Sequence, residues 1–113
     1  MEEKKDGLNK SIETISMELI AYSGDARSFA FGALEAAKEG DFEEAEKLLK
    51  KSDEAANLAH KVQTELLFNE ANGNSIEMNV LLVHAQDHLM TSMLAEELLK
   101  ELILLYKNSR VEK

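Results

Sequence analysis

The stretch EAAKEGDFEEAEKL, residues 35–48, decides the fold, because it ends one helix and starts the next within a few residues. Gly40 suits the left-handed position that follows a helix C-terminus. Asp41 is a favourable N-cap residue, and Glu44, three positions later, has the spacing of a capping box. The stretch therefore predicts a tight turn at residues 38–41 between two antiparallel helices.

Helical periodicity extends outward on both sides of this turn. It predicts helices at about residues 8–39, 42–69 and 77–107, with the polar sequence ANGNS at residues 71–75 as the second loop. In the first helix, apolar residues recur at steps of three and four: Ile12, Ile15, Leu19, Tyr22, Ala26, Phe29, Ala33 and Ala36. This recurrence is the spacing of an α-helix.

The middle of the first helix is rich in small residues, namely Ser23, Gly24, Ala26, Ser28, Ala30, Gly32 and Ala33. One interpretation is close approach between helices, which small side chains permit. The other is that these residues leave room for a partner or a substrate group near the middle of the bundle. Gly24 also argues against a straight helix at this point.

Composition points to one all-α domain covering residues 1–113. The chain has no proline and only five glycines, which favours long helices over a turn-rich β fold. A net charge of −9 argues against nucleic acid or an anionic membrane surface as a partner. The absence of cysteine excludes disulfides and thiolate metal sites. Because the apolar runs are too short to cross a bilayer, we expect a cytoplasmic protein.

The third helix predicts self-association. It begins with the run VLLV at residues 80–83 and closes with LILLY at residues 102–106. Both runs are apolar on all sides, whereas a three-helix monomer buries one face of each helix. Assembly into a larger bundle would cover the remaining apolar surface.

A polar stripe interrupts this apolar helix at VHAQDHLMT, residues 83–91. On a helix, His84, Asp87, His88 and Thr91 share one face. Burial of such groups is costly unless they are paired, so their presence points to chemistry.

Four interpretations of the stripe remain open on spacing alone. The residues could be ordinary boundary positions. The histidines could bind zinc, with His60 or a carboxylate as a third ligand, although Ala85 stands where a zincin has glutamate. His84 could be a nucleophile that carries a phosphoryl group, with a neighbour holding its tautomer. Asp87 could meet its symmetry copies at a rotation axis, where identical carboxylates need protons or a shared hard cation such as Mg²⁺.

The motif at residues 83–91 resembles the signature of the lactose/cellobiose-specific enzyme IIA family of the sugar phosphotransferase system. The resemblance extends to three other segments: GDARS at 24–28, EAAKEGDF at 35–42 and AHKVQTEL at 59–66. It covers about residues 15–106 in the family's order, with no departure in the motif itself.

The resemblance implies a function that periodicity does not show. Family members are three-helix, up-down-up subunits that assemble as homotrimers. Their motif histidine, here His84, accepts a phosphoryl group on Nε2 from phospho-HPr. They pass it to a cysteine of enzyme IIB, and the membrane enzyme IIC completes uptake of a β-linked sugar such as cellobiose, chitobiose, a lichenan fragment or lactose. The IIA subunit itself does not touch the sugar.

The resemblance also implies roles for the other motif residues. Asp87 matches the aspartate that faces the trimer axis, where three copies share a metal ion taken to be Mg²⁺. His88 matches a second histidine near the site, and we expect His88, Gln86 or Thr91 to support the phosphoryl group. Two alternatives from other classes are a helical-hairpin interaction module and a histidine-based metal-binding protein.

Overall fold

The computed structural model describes residues 11–111 and contains three long α-helices. Helix α1 spans Ile12–Lys38, α2 spans Phe42–Ala71 and α3 spans Val80–Val111. Together they form an elongated body of 64 × 22 × 20 Å. This confirms the predicted all-α, three-helix, up-down-up architecture, while the predicted helical residues 8–10 lie outside the described part of the chain.

The turn between α1 and α2 forms as its sequence predicts. Gly40 has a φ of 84°, in the left-handed region that glycine adopts without strain. The N–H of Gly40 donates to Ala37 O, and the N–H of Asp41 donates to Ala36 O, each at 2.9 Å. These two bonds make a Schellman motif. Asp41 Oδ1 then accepts from the N–H of Glu44 at 3.1 Å and caps α2.

The start of α3 corrects the predicted boundary. The helix begins at Val80 and not at Glu77. Asn79 Oδ1 accepts a hydrogen bond from the N–H of Leu82 at 2.8 Å, so Asn79 is the residue that caps the helix. At the other end of the loop, Gly73 has a φ of 90° and terminates α2.

The buried face of α1 includes Leu19, Ala26 and Ala33 from the apolar set seen in the sequence. All of its buried residues except Leu19 are small, and they recur at alternating steps of three and four: Ser16, Leu19, Ser23, Ala26, Ala30, Ala33 and Ala37. The larger residues Ile12, Ile15, Tyr22 and Phe29 are only half-buried and flank this face. Close approach of helix backbones selects small side chains at the contact, which confirms the close-packing interpretation of the small-residue segment. Gly24 does not break α1.

Helix α1 is the element that holds the bundle together. It packs along both α2 and α3, whereas α2 and α3 contact each other at few places. One core cluster includes Leu19, Ala59 and Leu89, and another lies beside the hairpin turn around Ala33 and Ile103. Within residues 11–111, no helix combines the length and apolar character needed to cross a bilayer.

A buried polar cluster joins α2 to the middle of α3. Ser52 Oγ lies 2.7 Å from Ala26 O and 2.8 Å from Glu96 Oε2. Ser52 can donate its single proton to only one of these oxygens, so a proton on Glu96 completes the second contact. Lys100 Nζ donates to Asp53 Oδ1 at 2.9 Å at the outer edge of the cluster.

The two carboxyl groups of this cluster have opposite pKa shifts. Burial raises the pKa of Glu96, and its hydrogen bond with Asp53 raises it further. Burial also acts to raise the pKa of Asp53, but hydrogen bonds from Lys100 and Glu96 outweigh it and lower that pKa. When the pair holds one proton, that proton is therefore favoured on Glu96, and the negative charge is favoured on Asp53 beside Lys100.

Stability should therefore depend on pH through Glu96. Because folding raises the pKa of Glu96, its contribution is fully present below the ordinary carboxyl pKa and is lost as the pH rises through the folded-state value. Asp53 acts in the opposite sense, since its lowered pKa contributes stability that is lost on acidification. The substitution Glu96→Gln mimics the protonated acid, so we expect it to raise Tm by a few degrees at about pH 8 and by much less at about pH 4.

Thermal unfolding followed by circular dichroism at both pH values measures this difference. Glu97→Gln is the matched control, because Glu97 is the exposed neighbour. A Glu96→Gln effect of the same size at both pH values would contradict a raised pKa at Glu96.

Candidate functional site

His84 lies near the start of α3 with its side chain exposed. Its neighbours Leu82, Ala85 and Leu89 are the residues that face the core. The core contacts of α3 thus fix the helix while leaving the imidazole of His84 open to solvent. Another protein can therefore approach the ring nitrogens of His84.

His88, one turn further along α3, contacts His84. The two ring centroids are 5.9 Å apart, and the ring planes meet at 64° in an edge-to-face arrangement. His88 itself is half-buried and faces α1. Its Nδ1 lies 3.2 Å from Ser23 Oγ, and its Nε2 lies 3.2 Å from an Nη2 of Arg27.

The surroundings of His88 disfavour its protonated form. Burial lowers the pKa of His88 most, and the positive charge of Arg27 and the neighbouring His84 lower it further. Asp87 acts in the opposite direction but does not outweigh these effects. His88 is therefore a neutral imidazole at neutral pH, with a hydrogen-bond partner at each ring nitrogen.

Gly24 provides the space in α1 that the His88 ring occupies. A Cβ atom on Gly24 would lie 3.7 Å from His88 Cε1, an ordinary van der Waals distance. The space between Gly24 and the His88 ring thus admits a methyl group. The small-residue segment of α1 therefore accommodates a motif histidine as well as close helix packing.

Asp87 is not bonded to this histidine pair. Its side chain is exposed, and it makes no hydrogen bond or ion pair with another residue of the described chain. The hydroxyl of Thr91 donates to the backbone carbonyl of Asp87 at 2.9 Å. Thr91 is thus bonded to its own helix.

Gln86 is directed toward α2. Gln63 Nε2 donates to Gln86 Oε1 at 2.8 Å. Residues two apart on a helix do not share a face, so Gln86 and His84 lie on different sides of α3. Gln86 also lines a surface cavity of about 220 Å³ with Leu66 and Met78. Within one chain the structure does not bring Gln86 to His84, and its supporting role stays a prediction.

The described residues of one chain do not form a multidentate metal site. No group of three or more His, Asp or Glu residues comes together in residues 11–111. His60, the third zinc ligand considered from the sequence, is exposed on α2. The zinc interpretation therefore lacks its third ligand within one chain.

Two residues of this site, Ser23 and Arg27, were not identified by sequence reasoning. They are one helical turn apart on α1, and both reach His88. Their i, i+4 spacing around Gly24 was visible in the sequence, but their contact with α3 depends on how the helices pack.

Apolar side chains are exposed at the same end of the bundle: Leu67, Phe68, Met78, Val80 and Val83.

An exposed imidazole at the surface of a helical bundle can exchange a group with another macromolecule. Comparison with known proteins identifies the family. The model for "PTS system, Lactose/Cellobiose specific IIA subunit" matches residues 14–107. The chain therefore belongs to the lactose/cellobiose-specific IIA family of the phosphotransferase system, and it is a phosphotransferase component. This confirms the predicted family and does not favour the hairpin-module or metal-protein alternatives.

Individual relatives agree with this assignment. The chain is 46% identical over 96 residues to the lactose-specific EIIA component of Staphylococcus epidermidis, which covers 85% of this chain and 92% of that protein. The cellobiose-specific enzyme IIA of Bacillus anthracis superposes with a TM-score of 0.89 at 47% identity, covering 92% and 95% of the two chains. The IIA(Chitobiose) subunit in the Escherichia coli IIA(Chitobiose)–HPr complex superposes with a TM-score of 0.77 at 46% identity, covering 89% and 98%.

The space at Gly24 leads to a stability prediction. Gly24→Ala fits beside His88 and removes a glycine from a helix interior, so we expect a stabilisation of about 0.5–1 kcal/mol with no effect on the histidines. Gly24→Leu should displace the His88 ring and lose that gain. Urea unfolding measures the stability, and ¹H–¹⁵N spectra of the imidazoles measure the displacement.

Gly32→Ala is the matched control, since its Cβ would meet Leu48 at 3.5 Å and not a histidine. If Gly24→Leu leaves the His88 resonances unchanged, the close approach of Gly24 to His88 is incorrect.

Proposed function

We propose that this chain is a phosphoryl carrier that accepts a phosphoryl group from phospho-HPr on His84 and passes it to a cysteine of enzyme IIB. The observation that carries the proposal is the exposed imidazole of His84 beside His88 in a chain of this family. The E. coli relative solved in complex with HPr supports HPr as the donor. The membrane enzyme IIC is then an indirect partner.

The transfer requires only one nucleophilic nitrogen on this chain. The lone pair of His84 Nε2 attacks phosphorus while His84 Nδ1 keeps its proton. The bond between phosphorus and the donor nitrogen breaks, and its electron pair stays on the donor. In the second step the cysteine sulfur attacks phosphorus, and the bond to His84 Nε2 breaks with its electron pair returning to the imidazole. Positioning and charge compensation supply the catalysis.

The sugar is outside the reach of this site. The relatives compared above are named for lactose, cellobiose and chitobiose, and their identities to this chain differ by only one percentage point. We therefore propose uptake of a β-linked disaccharide or oligosaccharide, without sugar binding by this chain. Since HPr and enzyme IIB must both reach His84, we expect the chain to work in the cytoplasm.

We propose that three copies assemble through α3. A row of exposed residues follows the helix on the side of Asp87, and its large apolar members are Val80, Val83, Met90, Leu94, Leu98, Leu102 and Leu105. Val80 is 86% exposed in the single chain. A continuous exposed apolar surface of this kind marks a site of association. Burying this row against two copies supports the homotrimer predicted by the family resemblance.

Asp87 fits the predicted role of a shared metal ligand. Its carboxylate is exposed within the apolar row and has no bonding partner in the described chain. Three carboxylates brought together in an apolar interface repel one another, and oxygen ligands are those that Mg²⁺ prefers. A bound Mg²⁺ would supply positive charge that offsets this repulsion. Each chain contributes one ligand, so a cluster within one chain is not required.

The carrier role is tested on His84. We expect His84→Ala to abolish labelling in a mixture of enzyme I, HPr and ³²P-phosphoenolpyruvate, because no other exposed imidazole has the same environment. Circular dichroism should show unchanged helical content, since His84 is exposed. His60→Ala is the matched control and should be labelled as well as the wild type. Labelling of His84→Ala at the wild-type level would disprove the role.

The axial role of Asp87 has a separate test. We expect Asp87→Leu to remain trimeric, with Tm equal to or above that of the wild type, because axial repulsion is removed. It should also lose Mg²⁺ binding in isothermal titration calorimetry. Sedimentation with and without chelator measures the assembly, and Glu97→Leu controls for added apolar surface. A monomeric wild type with Mg²⁺ present would overturn the axial arrangement.

A further inference from the structure

A chain of hydrogen bonds connects the α1 backbone to a guanidinium group beside the histidine pair. The hydroxyl of Ser23 donates to the carbonyl of Leu19, one turn back on α1. Ser23 Oγ also lies 3.2 Å from His88 Nδ1, and His88 Nε2 lies 3.2 Å from Arg27 Nη2. This series of hydrogen bonds thus ends on Arg27, a half-buried cation in a protein whose net charge is −9.

Counting protons gives each bond a direction. Ser23 has a single hydroxyl proton, and Leu19 O accepts it. Ser23 Oγ therefore accepts from His88, which places the imidazole proton on Nδ1. Arginine has only donors, so His88 Nε2 must be the acceptor for Arg27. The hydrogen bond with Ser23 and the hydrogen bond with Arg27 independently require the same tautomer of His88.

This tautomer leaves His88 with no free donor. Its only N–H is directed at Ser23, and its bare nitrogen is directed at Arg27. His88 therefore offers nothing that an anionic phosphoryl oxygen can accept. Arg27 has N–H groups beyond the one that contacts His88, and its positive charge is the property that a phosphoryl dianion requires.

We propose that Arg27 binds the phosphoryl group carried by His84, and that Ser23 and His88 are positioning residues that hold the guanidinium next to it. The His88 ring contacts the guanidinium of Arg27 through Nε2, and it contacts the His84 ring edge-to-face with centroids 5.9 Å apart. Only the His88 ring therefore separates this guanidinium from the imidazole that carries the phosphoryl group. On phosphorylation, Arg27 turns from the His88 nitrogen to the phosphoryl oxygens. This inference rests on the proposed carrier function of His84.

Four variants of the full-length chain test the proposal: Arg27→Gln, Arg27→Lys, Ser23→Ala and Lys38→Gln. The last is the matched control, because Lys38 is an α1 cation at the far end of the bundle. Each is phosphorylated with enzyme I, HPr and phosphoenolpyruvate. We expect Arg27→Gln to slow phosphorylation of His84 about tenfold or more, Arg27→Lys to restore part of the rate, and Lys38→Gln to match the wild type.

Two spectroscopic measurements separate binding from a structural effect. In ³¹P NMR, we expect Arg27→Gln to raise the pKa of the phosphoryl group on His84 by about half a unit to one unit, since a nearby cation favours the dianion. In ¹⁵N NMR of the unphosphorylated wild type, His88 should be protonated at Nδ1 with a bare Nε2. Ser23→Ala should weaken that preference and fall between the wild type and Arg27→Gln in rate.

The outcomes distinguish this proposal from the carrier function. If the wild type is not labelled on His84, the carrier function fails. If the wild type is labelled but Arg27→Gln leaves the phosphoryl pKa unchanged, the carrier function stands and the role of Arg27 is overturned. A protonated Nε2 on wild-type His88 overturns the positioning role of Ser23 and His88, even if Arg27→Gln does not fold.

Discussion

Close packing of the small-residue face of α1 is the constraint on which the rest of the structure depends. Ala30, Ala33 and Ala37 are completely buried, and Ser23 and Ala26 are nearly so. Small side chains let the backbone of α1 approach α2 and α3 closely enough to hold both. Since α2 and α3 contact each other little, any enlargement of this face would separate the two flanking helices. The same packing delivers the Ser23 hydroxyl to the His88 ring.

Local chemistry made the hairpin predictable, whereas packing decided what the sequence pattern missed. Gly40 and Asp41 determine the turn through local interactions: the left-handed φ of Gly40 and the cap that Asp41 provides for α2. The local sequence is therefore enough to predict the turn. On α1, hydrophobicity singles out Ile15 and Phe29, whereas close approach of the helices buries Ser16 and Ala30. The predicted start of α3, Glu77, is three residues too early, because the loop continues to Asn79, which caps the helix.

The site divides in the same way. Helical spacing placed His84, Asp87 and His88 together on α3, since all three depend on one helix only. Ser23 and Arg27 were missed because their roles arise from contact between two helices. The family resemblance includes residues 24–28 and so contains Arg27 but not Ser23, and spacing assigns this segment no chemistry. The buried Glu96 and Ser52 pair, which joins α2 to α3, was likewise invisible until the helices were packed.

Asp87 also limits how copies of the chain can slide along one another. In the proposed trimer, the residues two turns before and after it on the same face are Val80 and Leu94, both apolar and exposed. A shift by that distance would still bury apolar side chains against each other, but it would place each carboxylate against a hydrocarbon neighbour without its shared cation. A single polar residue in an otherwise apolar seam can fix the register of associated helices. In that trimer, Asp87 would thus select the one alignment in which the three copies of His84 lie at the same height.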